Sequence, residues 1–195
     1  MKKIFLFTFL ILSVTNFYSQ DEKKLVSRAN EMHNYSIQGN NRIVIEEYIY
    51  PGVYESVDKE DVIAFLENTK EFNNEEAEEF GYRDYKVVPV DIKPNFEFSI
   101  FTKIDDGYYC YVKYNGSSKF VYKDKVNEDE RAELVEGHKR LSRADEAYFD
   151  VEANAIVTKS TIYNIAICNK KSNFKWTFCN ISDIDPALRA QIKTQ

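Results

Sequence analysis

Only two histidines, three cysteines, six glycines and four prolines occur among 195 residues, and each scarcity removes a class of function. His33 and His138 lie too far apart for an HExxH helix or a His-x-His pair, and Cys110, Cys168 and Cys179 form no CxxC. A dedicated zinc-type site therefore has no ligand set to draw on. Asp105-Asp106-Gly107 and Asp183-Ile184-Asp185 are acidic turns without the spaced ladder of a calcium loop. So little glycine and proline excludes a collagen-like or linker-like chain. There is no glycine-rich phosphate cradle and no Gly-x-Ser-x-Gly elbow. Positive charge is also short, with 26 Lys and Arg against 32 Asp and Glu and a net charge of −6. That argues against a general nucleic-acid binder, which needs a basic surface.

What the chain does have is apolar and aromatic material. Leu, Ile, Val and Phe make up more than a quarter of it, and 14 Tyr, 14 Phe and one Trp stand beside them. That suffices for a core, and the length suits one domain. Residues 1–20 begin with Lys2 and Lys3, run through an apolar stretch from Ile4 to Leu12 and end in small or polar residues. This is the order of a secretory signal peptide, too short in its apolar part to span a bilayer. Cleavage is expected near Ser19 and Gln20, leaving residues 21–195 as the exported domain, periplasmic or extracellular. Loss of two lysines takes the net charge to about −8. The remainder holds no run of membrane length, so stable membrane insertion after cleavage is not expected. Export to an oxidising compartment makes the odd cysteine count notable, because at least one thiol stays unpaired. Cys168 and Cys179 flank a turn at Asn169–Asn173 in a register that does not bring them opposite each other. Buried thiols in strands are the expected state.

Residues 23–38 show Leu25, Val26, Ala29, Met32 and Tyr35 at helical spacing, ending at Gly39. A second helix over Ile43, Val44 and Tyr48 stops at Pro51-Gly52. Asp58 and Asp61 open a third, with Val62, Phe65, Leu66, Thr69 and Phe72 on its inner side, and Asn73–Glu79 reads as a solvated connection. From Tyr85 the period becomes two. Strands are expected at Tyr85–Ile92, Phe96–Lys103, Gly107–Tyr114, Lys119–Lys123, Tyr148–Val151, Asn154–Cys168 and Phe174–Ile181. Turns are expected at Asp105-Asp106-Gly107 and Asn115-Gly116. A helical insertion at about 126–146 opens on Asn127 and Glu130, with a thin stripe of Leu134, Val135, His138 and Leu141. Pro186 starts a short last helix. The layout is α+β.

Two N-terminal helices, the break Tyr50-Pro51-Gly52-Val53-Tyr54-Glu55, a helix opening at Asp58-Lys59-Glu60, Ala166-Ile167 and the strand Lys175-Trp176-Thr177-Phe178 resemble the nuclear transport factor two-like superfamily. The closer similarity is to small secreted members common in Bacteroidetes. The resemblance implies a cone-like fold, N-terminal helices packed on a curved antiparallel sheet with an inserted acidic helix. Its wider relatives include isomerases, dehydratases and non-catalytic binding domains.

Isomerases of that kind use an acid and a Tyr in an apolar cavity. Alternation places Glu97 opposite Phe96, Phe98 and Ile100, and Asp91 opposite Val88, Val90 and Ile92, so both acids fall on the outer side. Asp150 is harder to dismiss, yet no catalytic residue is assigned. Tyr108 and Tyr114 face away from Tyr109 and Tyr111, so aromatics occupy both sheet surfaces. Phe174, Trp176 and Phe178 share a face. The candidate ligand-contacting residues are Tyr54, Tyr109, Tyr111, Asp150 and Trp176. The expectation is non-enzymatic binding of a small apolar ligand, a protein partner or a second copy, without cofactor or metal. The alternative is a cone-cavity isomerase or dehydratase.

Overall fold

A computed structural model describes residues 21–72 and 85–192. Residues 1–20, where a signal peptide is expected, and the expected Asn73–Glu79 connection lie outside the described residues. Helix α1 covers 21–37. Helix α2 covers Asn41–Ile43 and widens into a π-helical stretch, Val44–Tyr48. A 3-10 turn over Pro51–Glu55 leads to α3, Lys59–Asn68. Strands β1 (Tyr85–Pro89), β2 (Glu97–Phe98), β3 (Thr102–Ile104) and β4 (Gly107–Tyr122) follow. Then come α4 (Arg131–Leu141), β5 (Glu146–Asp150), β6 (Ala155–Asn169), β7 (Thr177–Cys179) and α5 (Pro186–Gln191). The class is α+β, with an open antiparallel sheet.

The sheet is organised by β4 and β6, which pair along almost their whole length, from Gly107 with Asn169 to Val121 with Ala155. One edge of β4 takes β1, β2 and β3; the far edge of β6 takes β5 and β7. Asn115-Gly116 is no turn. Gly116 pairs with Ser160 in mid-ladder, and a β-carbon there would stand 2.5 Å from Ile162 Cδ1. The glycine serves a close side-chain approach within one continuous strand. At Asp105-Asp106 the expected hairpin does form, with Ile104 paired to Gly107. Gly107 is not in the left-handed region, however. A β-carbon on it would collide with the Cys168 carbonyl and lie 2.8 Å from Asn169 Cα.

Two expected strands are interrupted. The Phe96–Lys103 segment splits because Ser99 closes on Tyr111: its N–H donates to the Tyr111 carbonyl at 3.0 Å, and its hydroxyl accepts from the Tyr111 N–H at 2.9 Å. Side chain replaces ladder there, and Ile100 is thrown outward, 84% exposed. The Phe174–Ile181 segment begins late, since Asn173 and Phe174 take positive φ. Phe174 is therefore exposed and does not share the face of buried Trp176 and Phe178. Asn169 and Ser172 hold that turn by reciprocal backbone and side-chain bonds.

Both faces of the sheet are core at one end only. Register places Tyr108, Cys110, Val112 and Tyr114 on one face, where they pack with Leu25, Ala29 and Met32 of α1 and with Trp176 and Phe178. Tyr109 and Tyr111 pack on the other face with Tyr50, Ile165, Ile167, Ile184, Leu188 and Ile192. Each such fully buried apolar side chain contributes roughly 1.5–3 kcal/mol relative to exposure. At the opposite end the first face is covered by α4 against Tyr122, Val126 and Ile156. The second face there carries ion pairs, Lys119 with Asp150 at 2.9 Å and Lys159 with Glu146 at 3.1 Å.

Helix starts agree with local chemistry. The Asp58 carboxylate accepts from Glu60 N and Asp61 N, and Asp185 accepts from Leu188 N with Pro186 at the first helical position. On α3 the inner side differs from the expected stripe: Ile63 is its buried residue and Phe65 is 57% exposed. Asn127 contacts Glu130 as expected, but α4 begins only at Arg131.

Candidate functional site

A groove forms where α2 ends. Ile49 N–H donates to Val44 C=O, one residue further than in an α-helix. The widened turn finishes at Tyr48, and Ile49 leaves extended to bridge Phe178 of the sheet edge. Tyr48 is anchored by its hydroxyl to Glu31 at 3.0 Å and by the Arg28 guanidinium over its ring at 4.4 Å. Burial, with the Glu31 carboxylate second, pushes the Tyr48 hydroxyl up to about 12. Single π turns of this kind cluster at functional positions.

Beyond it, Tyr50-Pro51-Gly52 tightens into the 3-10 turn. A β-carbon at Gly52 would meet the Tyr50 ring at 2.5 Å, so glycine lets that ring pack back on its own turn. The turn presents Val53 and Tyr54. The Tyr54 hydroxyl donates to the Ile45 carbonyl at 3.3 Å, and burial raises its pKa to about 12. From the other side come Val62 and Leu66 of α3 and the segment from Ser182 to Arg189. Arg189 ties that segment down by donating to the Ser182 and Ile184 carbonyls at 2.5 and 2.9 Å. Together they enclose about 780 Å³. The walls are mostly aliphatic, Val44, Ile49, Val53, Val62, Leu66 and Ile184, while Glu55, Asp183, Asp185 and Arg189 stand among the polar lining residues. Such a volume and such walls suit a small apolar molecule.

A second groove of about 610 Å³ runs over the sheet beside Tyr111, Lys113, Tyr163 and Ile181. Lys113 pairs there with Glu97 at 3.1 Å, which confirms the outward parity of Glu97. The structure thus separates the five sequence candidates. Tyr54 lines the first groove and Tyr111 the second. Tyr109 and Trp176 are only 2% and 3% exposed and belong to the two cores, Tyr109 edge-on to Tyr111 and Trp176 against Phe101. Asp150 ends β5, accepting from Lys119 at 2.9 Å and from Ala153 N at 3.1 Å. The Lys119 ammonium, then the Ala153 amide, hold its carboxyl below the usual carboxylate range. That is the electrostatics of a structural anion.

Sequence reasoning missed Ile184, Arg189 and the π turn. Only Asp185-Pro186 signalled that the C-terminal segment would be fixed in place. All three thiols are free, with Cys110 and Cys179 buried and Cys168 half-buried. Cys179 pairs with Ile165 across the ladder, so the expected mismatch with Cys168 is observed. Among the described residues no group of three or more His, Cys, Asp or Glu could hold a metal ion. Comparison with family models, with curated proteins and with solved structures yields no match to this chain.

Proposed function

We propose that the protein is an exported, non-enzymatic binding domain of the cone-like, nuclear transport factor two-like kind, taking a small apolar ligand in the groove beside Tyr54. The observation that carries this reading is the groove itself: about 780 Å³ of largely aliphatic wall held open by a π turn, a glycine-dependent 3-10 turn and a pinned C-terminal segment. Export to the periplasm or beyond is supported by the Lys2-Lys3 and apolar order of residues 1–20. Among the described residues no helix is long and apolar enough to cross a membrane. The proton-transfer alternative asks for an acid of raised proton affinity beside a tyrosine. Asp150, the strand acid best placed by sequence, is shifted the other way.

Titration with the neutral fluorophore N-phenyl-1-naphthylamine tests the site. Saturable one-to-one binding is expected, weakened at least about tenfold by Val62→Trp, which fills the groove, since loss of a buried apolar contact of this size is worth over 1.4 kcal/mol. Tyr163→Ala, in the second groove, should leave binding unchanged. Equal affinity in Val62→Trp and the unmodified protein would remove the assignment.

A further inference from the structure

Helix α4 is attached to the sheet in an unusual way. Of its eleven residues His138 alone is buried, 8% exposed, while Leu134 and Val135 are half-buried and Leu141 is 70% exposed. A surface helix ordinarily seats through an aliphatic stripe. Here the deepest anchor is an imidazole. Its Nε2 lies 2.8 Å from the Tyr122 hydroxyl. Its ring centroid is 4.4 Å from that of Phe120, 5.3 Å from Tyr85 and 6.0 Å from Tyr122.

The groups facing His138 are thus Phe120 and Tyr122 from β4 and Tyr85 from β1. In the same cluster Phe149 of β5 carries the Arg131 guanidinium 5.0 Å over its ring. On α4 itself Lys139 and Arg140 adjoin it. Among the described residues, the ring and hydrogen-bond partners of His138 are aromatic and none is a carboxylate. Burial pulls the imidazole below its ordinary proton affinity.

We propose that α4 is a pH-operated latch on this sheet face: neutral His138, hydrogen-bonded to the Tyr122 hydroxyl, seats the helix, and protonation releases it while the rest of the sheet stays folded. Protonation sets a charge among aromatic rings. Ring faces attract a cation, but they do not replace its lost hydration. The released helix suits the charged form, because His138 sits in the last turn, where the helix dipole favours a cation. Its carbonyl remains bonded by Ser142 N and Oγ at 2.9 and 2.6 Å, keeping the helix end intact. Release uncovers Phe120, Tyr122, Phe149 and Ile156.

Linkage sets the direction. The open state titrates near the ordinary value of about 6.5 and the seated state lower, so opening is rarest above about pH 6.5 and grows as pH falls. Amide hydrogen exchange of the full chain, corrected for intrinsic rates, is measured at about pH 8 and about pH 5. Opening of residues 131–141 should be up to about 30-fold more frequent at the lower pH, with β6 amides unchanged. His138→Leu, which keeps apolar bulk, should abolish the gain. If that variant does not fold, the imidazole of the unmodified protein is titrated by NMR, and its midpoint should coincide with loss of α4 protection. Equal α4 protection at both pH values, a gain that survives in His138→Leu, or an imidazole that titrates at its ordinary value with the helix still seated overturns the latch.

Discussion

The side-chain amide of Asn169, at the end of β6, donates to the hydroxyl of Tyr50 at 3.1 Å in a buried position, joining segments 119 residues apart. This bond ties the turn that shapes the Tyr54 groove to the central sheet. Tyr50 is 1% exposed, and its ring packs in the core of the second sheet face. Tyr50→Phe keeps the ring and strands the Asn169 donor, so a loss of about 1–3 kcal/mol is expected in urea unfolding.

Two glycines in β4 should respond differently to alanine. At Gly107 the new methyl meets the Cys168 carbonyl and the Asn169 backbone, neither of which can move without breaking the ladder. A loss of about 3 kcal/mol or more is expected. At Gly116 the obstacle is Ile162 Cδ1, the end of a flexible side chain. Gly116→Ala should cost less than about 1.5 kcal/mol, and thermal unfolding of the two variants compares them directly.

Global stability should also report His138. Its folded pKa is lowered by burial, so the unfolded state binds more protons once pH drops below about 6.5. The contribution is fully present above that value and is lost as pH falls towards the folded pKa, by at most about 1.4 kcal/mol per pH unit. Unfolding free energy measured between about pH 8 and pH 5 in the unmodified protein and in His138→Leu should differ in slope, with the variant flatter.

The thiols give a fourth check. Burial pushes Cys110 and Cys179 up to about 12, with the Asp183 charge adding to burial at Cys179. Cys168 is half-buried and shifted upward by burial as well, and its thiol donates to the Phe174 carbonyl at 3.2 Å. Mass spectrometry after brief alkylation of native protein should find slow modification at Cys168 alone. Unfolded protein should take up three equivalents.

Helices and strand parity were readable wherever the cause is local. Asp58 and Asp185 cap because a carboxylate one residue before a helix meets free N–H groups. Alternation separated Tyr108 and Tyr114 from Tyr109 and Tyr111 for the same kind of reason, a period of two in any strand. Of the groove, only Tyr54 was anticipated. Its other walls come from the π turn and its exit, from α3 and from residues 182–189, and no spacing rule links that last segment to Tyr54, so far from it in the chain.

By itself, then, the sequence determined the α+β class, the helix starts at Asp58 and Asp185, the separation of Tyr108 and Tyr114 from Tyr109 and Tyr111, and the absence of a zinc-type ligand pattern. Tertiary structure decided whether Asn115-Gly116 would turn or run straight, because a glycine accommodates either a positive φ or a neighbour such as Ile162. It decided that Tyr109 and Trp176 are core while Tyr54 lines a groove, since burial depends on what covers a face and not on which face it is. It also decided that a thin amphipathic stripe would seat on a histidine, because the cluster that receives His138 joins β4 to Tyr85 of β1, a strand well before α4 in the chain.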